Sequence, residues 1–326
     1  MLSRIARGLY DLGRLIERSR NVARILEVNH KVNLERSSRD ETEIWSAVSN
    51  AFGCDLSSPD ESSLYEALVL SPTHPHSVRR CIAEARDEGR AMRNHISEEM
   101  WLHLNRQHLD FQNLTFTHIR ETGRSEFNRQ VEIFADGLHG LADDTMIRDH
   151  SWAFLKLGKL TERSLMVCQI LEIKRTSITA NEEGRPVDVY QWQALLRSLA
   201  GYEPYRRAYD ARVVPERVLE FVLKRPEFPR SLTWALGEIQ NILSLVSNGS
   251  PMQVSLERRA IRLQEDLQAV EISSLLSKKA LQDEIDFLKK SIERIIEEIE
   301  LAYFTSHRPA SIPINVAHGA GLVSQQ

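Results

Sequence analysis

Apolar residues recur along this chain at steps of three and four. Ile5, Leu9, Leu12, Ile16, Ser19, Ala23 and Leu26 form one such stripe, and Phe154, Leu157, Thr161, Ser164, Cys168 and Leu171 form another. That spacing places each set on one face of an α-helix. Leu64–Leu70 reads as a short helix before a proline turn, and Ser77–Asn105 as a long one with Ser77 as its cap. Residues 253–304 read as a helical hairpin whose seam is Leu281, Ile285, Leu288, Ile292, Ile295 and Ile299. No segment alternates with the period of a strand. The polar stretches Lys31–Thr42 and Lys174–Val187 read as loops, and the chain from Ser306 onward as a mobile tail. The pattern predicts an all-α protein.

The two stripes are related. LGRLIERSRNVARILEV (Leu12–Val28) aligns without a gap on LGKLTERSLMVCQILEI (Leu157–Ile173), an offset of 145 residues (158 − 13) with ten of seventeen positions identical. Trp45-Ser-Ala47-Val48 answers Trp192-Gln-Ala194-Leu195 at an offset of 147 (192 − 45). PTHPHSV from Pro72 answers PEFPRSL from Pro226 at 154 (226 − 72), which also sets Glu84 on Glu238. Loop insertions produce such drift, because connections absorb length changes more cheaply than packed elements. The chain therefore reads as two tandem, internally duplicated helical bundles, residues 1–142 and 143–305, followed by a short mobile tail at 306–326.

Composition narrows the classes of function. Of 326 residues, 42% are hydrophobic, enough for a sizeable core. Lys plus Arg number 42 against 46 Asp plus Glu, a net charge of −4, which gives no electrostatic case for a nucleic-acid or membrane-surface partner. Cys54, Cys81 and Cys168 are too scattered for a disulfide framework or a CxxC metal knuckle. Residues 1–20 carry a charge in every turn, unlike a secretory signal, and no apolar run is long enough to span a bilayer. The expected compartment is the cytoplasm.

Three motifs carry a resemblance: the ER within LGRxxER, ARDEGRAMRNHISEEMWLHLN (Ala85–Asn105), and GLADDTMIRDHSWAFLKLGK (Gly140–Lys159). In this order they resemble the bacterial Alpha-E domain family, a predicted α-helical domain with an ER motif, from Met1 to about Phe304. The resemblance implies protein partners: a circularly permuted ATP-grasp ligase, a transglutaminase-like cysteine peptidase and a proteasome-like peptidase, in ATP-dependent synthesis or tagging of a peptide. It supplies no catalytic residues. The second copy departs from the family pattern by carrying Lys159 where arginine is usual.

The ER motif offers the candidate chemistry, as Glu17-Arg18 and Glu162-Arg163. Consecutive helical residues lie about 100° apart, so each pair addresses two different neighbouring helices. Gly13 and Gly158, one turn earlier, leave room there for another backbone. Neither arginine has an acid at three or four residues on its own helix. A charge in half-apolar surroundings requires a partner, and the acid repeated in both copies is Glu84/Glu238. The expected ion pairs are Arg18–Glu84 and Arg163–Glu238, with Glu17 turned toward Arg86, Arg90 or Arg93. The second copy has Gln240 in place of Arg86. Such pairs are either a clamp that fixes helix register or an anion grip. The ladder Arg79, Arg80, Arg86, Arg90, Arg93 occurs once and is the better place for an anionic ligand.

Other constellations are thinner. Asp143, Asp144 and Asp149 resemble the magnesium motif of all-α isoprenoid synthases, yet they sit ahead of a helix start, where aspartates serve as caps, and only Asp283, Glu284 and Asp286 offer a second acidic stretch. His95, Glu98, Glu99 and His103 lack the Glu-x-x-His order of di-iron bundles, so no metal is expected. Gly-rich phosphate loops and nucleophile elbows are absent, and no cofactor is implied. Trp45 and Trp192 read as core anchors. The favoured function is a non-catalytic accessory or binding subunit of an ATP-grasp-associated peptide synthesis or tagging system. The alternative is an enzyme or ligand-binding protein acting on a carboxylate-bearing or peptide substrate through Glu17 and the basic ladder.

Overall fold

Two long helices that are apolar on most sides can bury themselves only in the middle of a helical protein. A computed structural model, which describes residues 1–35, 41–178, 189–247 and 249–305, has that arrangement, and every regular element among them is helical. The first half holds α1 (Ser3–Glu35), α2 (Glu41–Phe52), α3 (Glu61–Tyr65), α4 (Val78–Ala91), α5 (Glu98–Gln112), α6 (Phe116–Thr122) and α7 (Arg124–Thr145). The second holds α8 (His150–Ile178), α9 (Val189–Ser198), α10 (Tyr202–Ala208), α11 (Pro215–Lys224), α12 (Leu232–Val246), α13 (Pro251–Ala269) and α14 (Lys278–Ile299).

The most extensive packing is between α1 and α8, the two helices that carry the repeated stripe. Around them, α4 and α7 lie on α1, while α12 and α14 lie on α8. The short helices cross over: α2 packs on α8 and α9 on α1. Buried apolar side chains from both halves form one continuous cluster. Trp45 on α2 and Trp192 on α9 are among its largest fully buried members. The expected seam of Leu281, Ile285, Leu288, Ile292, Ile295 and Ile299 is buried too. Each such aliphatic side chain contributes about 1.5–3 kcal/mol by leaving water.

Two readings need correction, that of the long helix and that of the loops. The long helix over Ser77–Asn105 is two helices, broken after Ala91. Met92 leaves helical geometry at φ −97°, ψ 18°, and Ser97 restarts the chain by accepting from the Met100 amide at 3.2 Å. The apolar period runs on across this break, so only the capping serine marks it. Lys31–Glu35 and Lys174–Ile178 are the last turns of α1 and α8 rather than loop; residues 36–40 and 179–188 lie outside the described residues. Residues 306–326, expected to be a mobile tail, also lie outside them. No helix among the described residues is long and apolar enough to cross a membrane.

Candidate functional site

The centre of the molecule is set by two glycines. A Cβ on Gly13 would lie 2.0 Å from the Leu155 carbonyl oxygen, and one on Gly158 would lie 1.9 Å from that of Tyr10. Each helix therefore presses its backbone into the gap left by the other's glycine. Leu155 is 145 residues from Tyr10 (155 − 10), so the contacts are reciprocal. Further along, Lys174 Nζ donates to Asn29 Oδ1 at 2.7 Å, again 145 residues apart (174 − 29). Contacting residue numbers rise together on the two helices, so α1 and α8 run parallel and in register.

One turn beyond the glycines, the two ER motifs meet crosswise. Arg163 donates through Nε to Glu17 Oε1 at 2.8 Å and through Nη2 to Oε2 at 3.2 Å. Arg18 donates through Nε to Glu162 Oε1 at 2.6 Å and through Nη2 to Oε2 at 2.8 Å. Each is the two-pronged arginine–carboxylate geometry that gives charged hydrogen bonds their strength and direction. The remaining Nη1 reaches a carbonyl in the proline turn of its own half: Pro75 at 3.3 Å from Arg18, Pro229 at 3.1 Å from Arg163. The repeated turns PTHPHSV and PEFPRSL thus hold the repeated arginines.

The partners expected from the sequence are not the ones found. Arg18 engages Glu162 rather than Glu84, and Arg163 engages Glu17 rather than Glu238. Glu84 pairs one helical turn back with Arg80 at 2.6 Å, and Glu238 accepts from Asn241 at 3.1 Å, both toward the surface. Glu17 does not turn to Arg86, Arg90 or Arg93. Arg86 bonds Asn105 and Asp87, and both Arg86 and Arg93 lie over the Trp101 ring, while Arg90 is exposed. Higher on the ladder, Arg79 bonds the Leu114 carbonyl and Arg80 that of Thr73. Each ER arginine lacks an acid three or four residues away on its own helix, and the nearest acid in register is the ER glutamate of the other long helix.

Several residues not singled out from the sequence complete the site. Arg14 Nε donates to Glu162 Oε2 at 3.0 Å. The His139 ring on α7 donates from Nε2 to Glu17 Oε2 at 3.2 Å. Arg230 Nη1 lies 3.9 Å from Glu17 Oε1. Glu17 is 0% exposed and Glu162 is 2% exposed. Burial pushes both carboxyls up, but Arg18 and Arg14 hold Glu162 at about 2, and Arg163 with His139 holds Glu17 well below its ordinary value. Burial works the other way on the bases. It brings His139, with Lys159 beside it, down to about 4, and Lys159, with Arg163 beside it, down to about 7. His76, half-buried near Arg18, is also brought down to about 4.

The acidic stretch is structural in its contacts. Asp149 accepts from the Ser151 and Trp152 amides as the cap of α8, and Asp143 takes Lys156 at 3.0 Å and the Trp152 indole at 3.1 Å. His103 bonds the Phe134 carbonyl, and Ser151 approaches His95. Among the described residues no group of three or more His, Cys, Asp or Glu side chains is placed to hold a metal ion.

Comparison with known proteins gives a family and no reaction. The model of Alpha-E, described as a predicted alpha-helical domain with a conserved ER motif, matches residues 1–304. An uncharacterized protein of Mycobacterium bovis is 23% identical over 261 residues, 73% of this chain and 29% of its own length. One from Mycobacterium tuberculosis is 22% identical over the same shares. The chain thus spans under a third of the length of these curated relatives. No solved structure matches the chain.

Proposed function

The chain belongs to the Alpha-E family, and from that premise we propose that it is a helical accessory or binding subunit, working in the cytoplasm beside an ATP-grasp ligase. On this reading it serves peptide synthesis or tagging, with a transglutaminase-like or proteasome-like peptidase as a further partner. Residues 1–142 and 143–305 are two copies of one helical unit, interlocked through α1 and α8. What supports the duplication is the facing of positions 145 residues apart, together with the crossed forks.

The observation that carries the reading is the state of the motif itself. Both ER glutamates are sealed from water and gripped by arginine forks, so the motif joins the halves instead of presenting a reactive acid. A clamp of this kind fixes a rigid helical body whose outer surface does the work. The relatives add support, since in them the matching region is under a third of a longer polypeptide, as suits a module that acts next to other domains. An enzyme acting through Glu17 would need that carboxylate within reach of a substrate, and Glu17 is 0% exposed.

The test is affinity purification of the tagged protein from its own cells at native expression, read by mass spectrometry. An ATP-grasp protein recovered in near-equal amount is the expected result. Recovery of the chain alone would overturn the proposal.

A further inference from the structure

Pro229 and Arg230 end the turn that leads into α12, and both line a surface cavity of about 470 Å³. Phe221 and Phe228 also line it, buried and stacked with ring centres 4.4 Å apart. Three arginines, Arg207, Arg225 and Arg230, face a single acid, Glu227. Arg225 and Glu227 neutralise one another at 2.6 Å, and Arg207 stands exposed on α10.

Arg230 is only 9% exposed and makes no hydrogen bond among the described residues. Its nearest counter-charge is Glu17, at 3.9 Å, and that carboxylate already takes both prongs of Arg163 and the His139 ring. A guanidinium carries five N–H donors in a planar fork, and none of those of Arg230 is both sealed from solvent and unpartnered. Because Arg230 lines the cavity, those donors are available to an acceptor there.

The lining carries a second irregularity at Ala200. Ala200, which closes α9, has φ +53°, a conformation that glycine usually supplies. The glycine comes one residue later, where a Cβ on Gly201 would meet Phe228 at 2.9 Å and Phe221 at 3.2 Å. The turn is thus strained at Ala200 and pressed onto the aromatic pair at Gly201, which fixes the shape of this side of the cavity.

We infer that this cavity binds a small monocarboxylate with an apolar, ring-sized body. Its carboxylate is forked by Arg230, Arg207 supplies a second cation at the rim, and its body lies against Phe221 and Phe228. One buried guanidinium matches one negative charge, and its planar fork suits a carboxylate. A mostly apolar cavity of this size with a few convergent polar groups is the usual form of a small-molecule site. This site is independent of which partner the helical body serves.

The test is calorimetric titration with 3-phenylpropanoate and, as the uncharged control, 3-phenylpropanamide. The acid should bind saturably and the amide at least about tenfold more weakly. Arg230→Gln should abolish that discrimination, and Arg207→Gln should weaken the acid about threefold. Arg230→Lys keeps a cation beside Glu17 but removes the planar fork, so it reads the same loss if the glutamine variant does not fold. Equal binding of acid and amide, no saturation by the acid at about 10 mM, or full affinity in both Arg230 variants would overturn the assignment.

Discussion

Glu162 and Glu17 occupy corresponding places in one helix pair, yet the molecule neutralises them differently. Glu162 takes two arginines directly, the fork of Arg18 and the Nε of Arg14. Glu17 takes one fork, from Arg163, and a hydrogen bond from the His139 ring. Lys159, in the place of Arg14, forms no ion pair with Glu17. Arg230 stands where the first half has His76 (230 − 76 gives the same offset of 154 as the proline turns), and it stops at 3.9 Å. His76 instead packs edge-on against Phe52, with ring centres 5.2 Å apart. The framework of glycines, forks and proline-turn carbonyls is symmetric, and the shell around it is not. Arg230 opens onto a cavity, whereas His76 in the corresponding place packs on Phe52.

The largest effect that probes this contrast is loss of a fork. Arg163→Ala leaves Glu17 buried with an uncharged imidazole and a distant guanidinium, so it should cost about 3–5 kcal/mol in urea denaturation. Arg18→Ala leaves Glu162 still bonded by Arg14, so its cost should be nearer 2 kcal/mol. Equal losses would mean that Arg14 contributes nothing, and no loss in either variant would remove the clamp from the account. The symmetric part of the frame is tested at the glycines. Gly13→Ala and Gly158→Ala each drive a methyl into a backbone carbonyl that no side-chain motion can relieve. Both should lose about 3 kcal/mol, by similar amounts, and a tolerated alanine at either position would show that the helices do not cross there.

How much of this could be read in the residues follows from what each feature depends on. The α1 and α8 stripes were legible, because a helical period is a local property of Ile5–Leu26 and Phe154–Leu171. The close approach at Gly13 and Gly158 was legible as room for a backbone, although not as the meeting of α1 with α8. The crossed pairing is not legible within either half, because the acid that answers Arg18 or Arg163 lies on the other long helix. Two helices with similar stripes can also bury their faces on each other, and then the missing acid for each arginine is the glutamate of the facing helix. The break after Ala91 was hidden because Met92–Ile96 contains neither glycine nor proline. Arg230 carried no local signal at all, since its role depends on α1, α10 and α11 meeting around one turn.

A smaller effect, common to both sites, appears on acidification. His139 is neutral in the folded protein, brought down to about 4 by burial and by Lys159. In the unfolded chain it titrates near 6.5. Between those values the unfolded chain holds the extra proton, so the stability contributed by neutral His139 is present above pH 6.5 and lost as pH falls toward 4. His76, at about 4, acts in the same window. Each should lower stability by about 2 kcal/mol between pH 7 and pH 5. His139→Asn should roughly halve the combined loss, measured as urea midpoints at the two pH values. An unaltered pH dependence in that variant would assign the loss elsewhere.

The finest distinction lies between Arg14 and Lys159, aligned positions (159 − 14 again gives 145) with opposite surroundings. Arg14 bonds a carboxylate, so Arg14→Met should cost about 1–2 kcal/mol. Lys159 lies half-buried near Arg163 and Lys156, and burial together with Arg163 brings it down to about 7. Its unfolded value is near 10.4, so between pH 7 and about 10 the unfolded chain binds the extra proton and wild-type stability should rise with pH. Lys159→Met removes a cation that the fold disfavours while keeping the length of its apolar stem. That variant should gain about 1 kcal/mol at pH 7 and lose the alkaline rise. A loss at Lys159 equal to that at Arg14 would mean that the lysine serves Glu17 as the arginine serves Glu162, and the two halves would then be electrostatically equivalent despite their different contacts.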